Sequence, residues 1–190
     1  RNWVSFNEMS GDHIVEQHLH NIDVANWFIG RTPKSAIGFG GRARRETGNQ
    51  FDFFSIDFDY GEGVHIHSMC RQINGCADSV SEYIRGTSGY TNCENTIWNT
   101  DGTIQFKYDY GLDESGEEAT SVKVNPYDQE HIDLITAIRT DEYVNEAEFT
   151  AKSNLTAIMG RISAYTGQQV TWEEMMSSDL KIGPETIAMG

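Results

Sequence analysis

Three prolines and three cysteines are all that this chain of 190 residues contains of either, and each scarcity narrows what the protein is. Cys70, Cys76 and Cys93 are odd in number and follow no metal-ligand spacing such as C-x-x-C. They read as free thiols, with no disulfide framework implied. Basic residues are short as well: 14 Lys and Arg stand against 29 Asp and Glu, a formal net charge of −15. A surface of that sign argues against nucleic acid and against an anionic membrane as partners. The one basic cluster, Arg42, Arg44 and Arg45, is too short to reverse this and reads as a solvated loop. No apolar run approaches the roughly 18 residues that cross a bilayer, and no charged-then-apolar signal segment opens the chain. Arg1–Phe6 reads like the middle of an extended segment, so the true start is expected upstream. The expected compartment is the cytoplasm, or the periplasm if an export signal precedes residue 1.

The rest of the composition suits one domain over residues 1–190, long enough to bury a real core. No repeat, low-complexity tract or linker interrupts it. After Asn7–Asp12, a turn in which Ser10 or Asp12 is placed to cap a helix, helical spacing runs from Asp12 to about Ile29, where Gly30 ends it. Strands are expected at Phe51–Tyr60 and Val64–Ile73, joined by a Gly61-Glu62-Gly63 hairpin turn. In the second of these, His65, His67, Met69 and Arg71 share one face and Ile66, Ser68 and Cys70 the other. Short strands follow at Ser79–Arg85, Thr96–Asn99 and Thr103–Tyr108, then an acidic loop at Asp113–Glu118. Helices are expected at Tyr127–Arg139, with Ile132, Ile135 and Ile138 inward, and at Glu146–Thr166, with a helical turn at Trp172–Ser177. The class is α+β: an open, largely antiparallel mixed sheet with helices on one face, the other face available for oligomerisation.

Gly38-Phe39-Gly40-Gly41-Arg42-Ala43 fits the G-x-G-x-x-A dinucleotide fingerprint formally. A true fingerprint needs a helix beginning inside the motif, so that its amides hold the pyrophosphate. Arg44-Arg45-Glu46-Thr47-Gly48 has no apolar periodicity to bury such a helix, so the motif reads as a glycine-rich strand and its turn.

The opening helix carries the chemistry. His13, Glu16, His20 and Asp23 recur at three, four and three residues, which on a continuous helix places all four on one stripe. Val15, Leu19, Ile22 and Ile29 form the apolar stripe beside it.

Glu16-x-x-x-His20-x-x-Asp23, followed by Val24-Ala25-Asn26-Trp27-Phe28-Ile29-Gly30, resembles the acid-x-x-x-His-x-x-Asp helix of the glucose-fructose oxidoreductase/inositol dehydrogenase (Gfo/Idh/MocA) family. Gly11–Asp23 as a whole is similar to the subgroup common in Bacteroidetes-type bacteria, with further likeness at Gly38–Ala43 and His65–Gln72. The resemblance implies a two-domain enzyme: a first half of Rossmann type that binds NAD or NADP, and an α+β second half that supplies the substrate side and the oligomer interface. This chain is similar to that second half alone. It lacks the strand–glycine-loop–helix of the nucleotide domain and the lysine of a Glu-Lys-Pro motif, so no cofactor is expected on it by itself. The family's proton-handling histidine falls on His20 and its neighbouring acid on Glu16, where many members carry aspartate. A histidine titrating near neutrality can take the proton of a sugar hydroxyl as hydride leaves carbon, and a nearby carboxylate stabilises the imidazolium. Asp23 is read first as structural, through a helix-to-strand hydrogen bond, with substrate contact as the other candidate role, and His13 is either a contact at the substrate rim or merely solvent-exposed. The bland alternative for Glu16 and His20 is a helical ion pair.

Implied partners are a sugar-like small molecule, the N-terminal Rossmann domain of the parent chain and further copies of the same chain. Competing functions are a metal-dependent hydrolase built on Glu16, His18, His20, His65 and His67, a purely oligomerising module, and glycoside cleavage assisted by NAD.

Overall fold

The computed structural model describes residues 2–112, 115–117, 119, 125–181 and 183. They form two compact units, Arg1–Asp78 with Ala147–Gly190, and Ser79–Glu146. The first contains a 3-10 turn (Trp3–Ser5), α1 (Asp12–Glu16), α2 (Leu19–Ile29), β1 (Ser35–Gly41), β2 (Phe53–Gly61) and β3 (Val64–Arg71). The second contains β4 (Ile84–Arg85), β5 (Gly89–Thr91), β6 (Thr96–Asn99), β7 (Ile104–Lys107) and α3 (Pro126–Thr140), after which α4 (Ala147–Thr166), β8 (Val170–Thr171) and α5 (Trp172–Ser177) complete the first.

The α+β class holds, and the strands divide between two antiparallel sheets of four, ordered β3-β2-β1-β8 and β4-β5-β6-β7. In the first sheet β2 carries the core. Its alternation sends Phe54, Ile56, Phe58 and Tyr60 to one face, each at most 2% exposed, and burying a side chain of that size contributes roughly 1.5–3 kcal/mol. Cross-strand register continues that face through Ala36–Phe58–Ile66 and Gly38–Ile56–Ser68. Helix α4 lies on it with Ala157, Met159 and Gly160 inward. Gly160 is required by the close approach, because a Cβ there would stand 2.7 Å from Phe58 Cζ. A buried polar ladder ties α2 to the same layer: Tyr60 donates to Asn26 Oδ1 (2.5 Å), and Asn26 Nδ2 donates to Ser153 Oγ (3.2 Å). The opposite face is open and carries Ile37, Phe39 and Met69, with Phe39 65% exposed.

Several expectations change. Trp3–Ser5 is a 3-10 turn where an extended segment was expected. The strand expected over Ser79–Arg85 is only Ile84–Arg85. The helix expected over Asp12–Ile29 is two helices. The residue before α1 is Gly11, which makes no side-chain cap bond, and neither Ser10 nor Asp12 caps it. Asn125 does cap α3 by accepting from Tyr127 N (3.1 Å), with Pro126 at the first position where a missing N–H costs nothing. The isoleucines of α3 do not point inward: Ile132, Ile135 and Ile138 are exposed, and Ala137 is the buried residue of the helix. The acidic loop Asp113–Glu118 lies partly outside the described residues. No helix among the described residues is long and apolar enough to cross a membrane.

Candidate functional site

The polar stripe of the opening segment is split by the interruption at Gln17 and His18. The carbonyl of His13 accepts from both Gln17 N and His18 N, each at 3.0 Å. The second bond spans five residues instead of four, so the turn holds one extra residue. At 3.6 residues per turn, an extra residue rotates α2 by about 100° relative to a continuous helix. His13 and Glu16 therefore sit on α1 while His20 and Asp23 sit on α2 with a different azimuth.

Each candidate has a distinct environment. Glu16 is half-buried and accepts from Ser10 Oγ at 2.9 Å. No ion pair among the described residues joins it to His20. His20 is exposed on α2, and Asp23 is half-buried one turn on. His13 is half-buried with Nδ1 enclosed and without a hydrogen-bond partner. Burial, and then the Arg45 guanidinium, pull its pKa below the ordinary imidazole value. His18 lies deeper: its Nε2 and Ser68 Oγ are 2.8 Å apart, and burial, assisted by His13 and opposed by a hydrogen bond with Asn21, brings its pKa to about 4.

Behind α1 stands an arrangement that sequence reasoning treated only as a cap. Asp12 is fully buried with a left-handed φ of 66°. Its Oδ2 accepts from Arg161 Nε (2.5 Å), and its Oδ1 accepts from Phe51 N and from Tyr165 OH, both at 2.8 Å. Arg161 lies 4.4 Å from the centre of the Tyr165 ring, which stacks on Phe51. A buried carboxylate needs this many partners, since an unpaired one is too costly to keep ionised. The only hint of it in the sequence was an acid beside a glycine at the head of the helix.

Gly38–Gly41 lie in β1 with Arg42 and Ala43 in the turn after it, a glycine-rich strand and its turn as expected. The amides of Ala43, Arg44 and Arg45 each donate to the Asp52 carboxylate at 2.8 Å, so the groups that would cradle a phosphate are occupied by an acid of the same chain. Burial works against that carboxylate's charge, and the three amides with Arg45 more than offset it, leaving its pKa lowered. No helix follows the turn. Arg45 is further bonded to Gln50 and Gln72, which holds it beside α1 and not in solvent as a free cation.

Elsewhere, His65 sits on the open sheet face with Nδ1 2.9 Å from Asp57 Oδ2 and Nε2 3.8 Å from Asp59 Oδ1. Those carboxylates, Asp57 first, raise its pKa. His67 is opposite Asp57 in the register. Among the described residues, no group of three or more His, Cys, Asp or Glu is placed to hold a metal ion. Cys70, Cys76 and Cys93 are free, and burial pushes the Cys70 thiol up to about 12.

No family model and no curated protein matches the sequence. Solved structures do match the fold. An aldose-aldose oxidoreductase from Caulobacter crescentus, complexed with glycerol, is 13% identical with a TM-score of 0.66 over 90% of this chain and 51% of its own. An oxidoreductase from Agrobacterium radiobacter, in complex with NAD+, L-tartaric acid and magnesium, is 15% identical with a TM-score of 0.61 over 92% and 53%. The scyllo-inositol dehydrogenase from Lactobacillus casei, with bound NAD(H) and scyllo-inositol, is 16% identical with a TM-score of 0.59 over 85% and 48%. The chain thus has a fold found in such oxidoreductases and spans about half the length of the structures it matches.

Proposed function

We propose that this chain is the C-terminal, substrate-binding and oligomerising half of a Gfo/Idh/MocA-type oxidoreductase that uses NAD or NADP and acts on a hydroxyl of a sugar, cyclitol or glycoside. One coincidence carries the reading: Glu16-x-x-x-His20-x-x-Asp23 lies at the head of a fold that covers about half of solved sugar and cyclitol oxidoreductases. Fold alone does not assign chemistry, and the motif supplies the groups that the chemistry needs.

In this reading His20, exposed on α2, accepts the hydroxyl proton of the substrate. Glu16, steadied by Ser10, supplies the negative field that favours the resulting imidazolium. His13 and Asp23 line the substrate side, and His13, kept neutral by its burial, bonds a hydroxyl without adding charge. Hydride acceptance belongs to a nicotinamide nucleotide held by another domain. The turn after β1 is not proposed as its cradle, since the amides of Ala43, Arg44 and Arg45 are taken by Asp52. The open face with Ile37, Phe39 and Met69 is the proposed contact between copies of the chain.

The test is nicotinamide reduction by the full-length protein against a panel of aldoses and cyclitols. Turnover with at least one member of the panel is expected, and none with either NAD or NADP overturns the reading.

A further inference from the structure

We propose that His18 is a positioning residue: by bonding Ser68 of β3 it fixes the interruption between α1 and α2, and so sets the directions in which Glu16 and His20 point. The inference rests on the reading of Glu16 and His20 as the proton-handling groups.

No proline, glycine or serine accounts for the interruption. Sharp breaks in helices come from proline, from glycine and serine pairs, from wide turns, or from a side chain drawn out of the ladder. Asp12–Ile29 contains no proline, glycine or serine. A five-residue turn is less favourable than the α-turn it replaces and recurs where function requires it, so its persistence requires a tertiary contact. His18 makes that contact across 50 residues of sequence. Ser68 is 6% exposed and sits on the core face of the sheet opposite Ile56, so its hydroxyl is a fixed partner. Without the extra residue, the His18 side chain would leave the helix about 100° away from its present direction and the bond to Ser68 would be lost. The contact and the wide turn therefore require each other.

Burial keeps the imidazole neutral at ordinary pH. Ser68 oxygen can donate to or accept from it, so either neutral tautomer satisfies the bond. Around the break, Asn21 N and Ile22 N both donate to the His18 carbonyl at 3.1 and 3.2 Å, which starts α2 directly from the anchored residue. His20 is thus two residues from a fixed point.

The experiment uses this chain and the full-length enzyme with the same variants: His18→Leu, Ser68→Ala and His18→Gln. Backbone and imidazole NMR on the chain reads the turn. In His18→Leu and Ser68→Ala, Gln17 and His18 are expected to rejoin a regular α-helical pattern, while the amide of His18→Gln keeps the bond to Ser68 and preserves the wide turn. In the enzyme, kcat is expected to fall about tenfold to a hundredfold in the first two with KM little changed, the range for reacting groups displaced by about an ångström, and His18→Gln is expected to restore most of it. Stability loss alone would not produce that split or that rescue. If both disrupting variants keep the wide turn and the turnover, the inference is wrong. If His20→Ala leaves turnover intact, the proton-handling reading fails separately. If His20→Ala lowers kcat while His18→Leu and Ser68→Ala do not, only the positioning role is overturned.

Discussion

Asp12 and Arg161, 149 residues apart in sequence, meet as a buried ion pair with Nε 2.5 Å from Oδ2. The pair joins the head of α1 to the C-terminal half of α4, and Phe51 N and Tyr165 OH complete the carboxylate's partners. Removing one member leaves an uncompensated buried charge, a loss of roughly 3–5 kcal/mol. Urea unfolding of Asp12→Ala should show that loss. An Asp12→Leu/Arg161→Met double variant should recover part of it, because breaking a buried pair costs more than replacing both members by apolar groups. A single-variant loss below about 1 kcal/mol, the scale of a surface pair, would mean that the network does not hold the helix head in place.

Acid should weaken the fold through two partly buried histidines. His13 and His18 have pKa values below the ordinary 6.5, His18 at about 4. In the window between the folded and unfolded values the unfolded chain binds more protons, so stability rises with pH there and is lost as pH falls from about 6.5 towards 4. One histidine gives a slope of up to about 1.4 kcal/mol per pH unit. Urea midpoints across that window should fall with pH, and His18→Gln should flatten the dependence; a flat profile in the unmodified chain contradicts the burial of both rings.

Gly160 allows α4 to lie directly on Phe58 and Ile56. A larger residue must push the helix off the sheet, and Gly160→Val should cost about 1–3 kcal/mol. Thermal unfolding measures it, and an unchanged midpoint would mean that the helix can shift freely.

Nucleotide binding by the 190-residue chain is expected to be absent, because the amides of Ala43, Arg44 and Arg45 are held by Asp52. Titration calorimetry with NAD should show no heat of binding. A micromolar dissociation constant would overturn this account of the Gly38–Ala43 segment.

Association through the open sheet face should be disrupted by Phe39→Lys, which places a charge in the middle of its apolar patch. Sedimentation should show a smaller species for the variant than for the unmodified chain. Equal masses would assign the self-contact to another surface.

Strand alternation was the most legible part of the sequence. The period-two patterns of Phe54–Tyr60 and His65–Arg71 name the core and open faces that the register confirms, because side-chain alternation in a strand follows from the backbone alone. The bounds of α4 and α5 were legible from apolar spacing and Gly167 for the same local reason. The features that the pattern misread depend on distant partners. A spacing argument assumes an unbroken helix, whereas the wide turn at Gln17–His18 is tied to Ser68, and nothing within the segment marks it. Asp12 likewise reads as a cap until Arg161 and Tyr165 arrive from the other end of the chain. The isoleucines of α3 show the converse: a regular helical periodicity on a helix whose stripe stays exposed. Glu16, His20 and Asp23 were legible as a motif, but their separate environments were not.

The central claim is that His20 handles the substrate's proton, and turnover of His20→Ala in the full-length protein tests it most directly. Nucleotide affinity should be unchanged while turnover falls by ~10²–10⁴-fold, the range for losing a positioned acid or base. Turnover equal to that of the unmodified enzyme would contradict the claim.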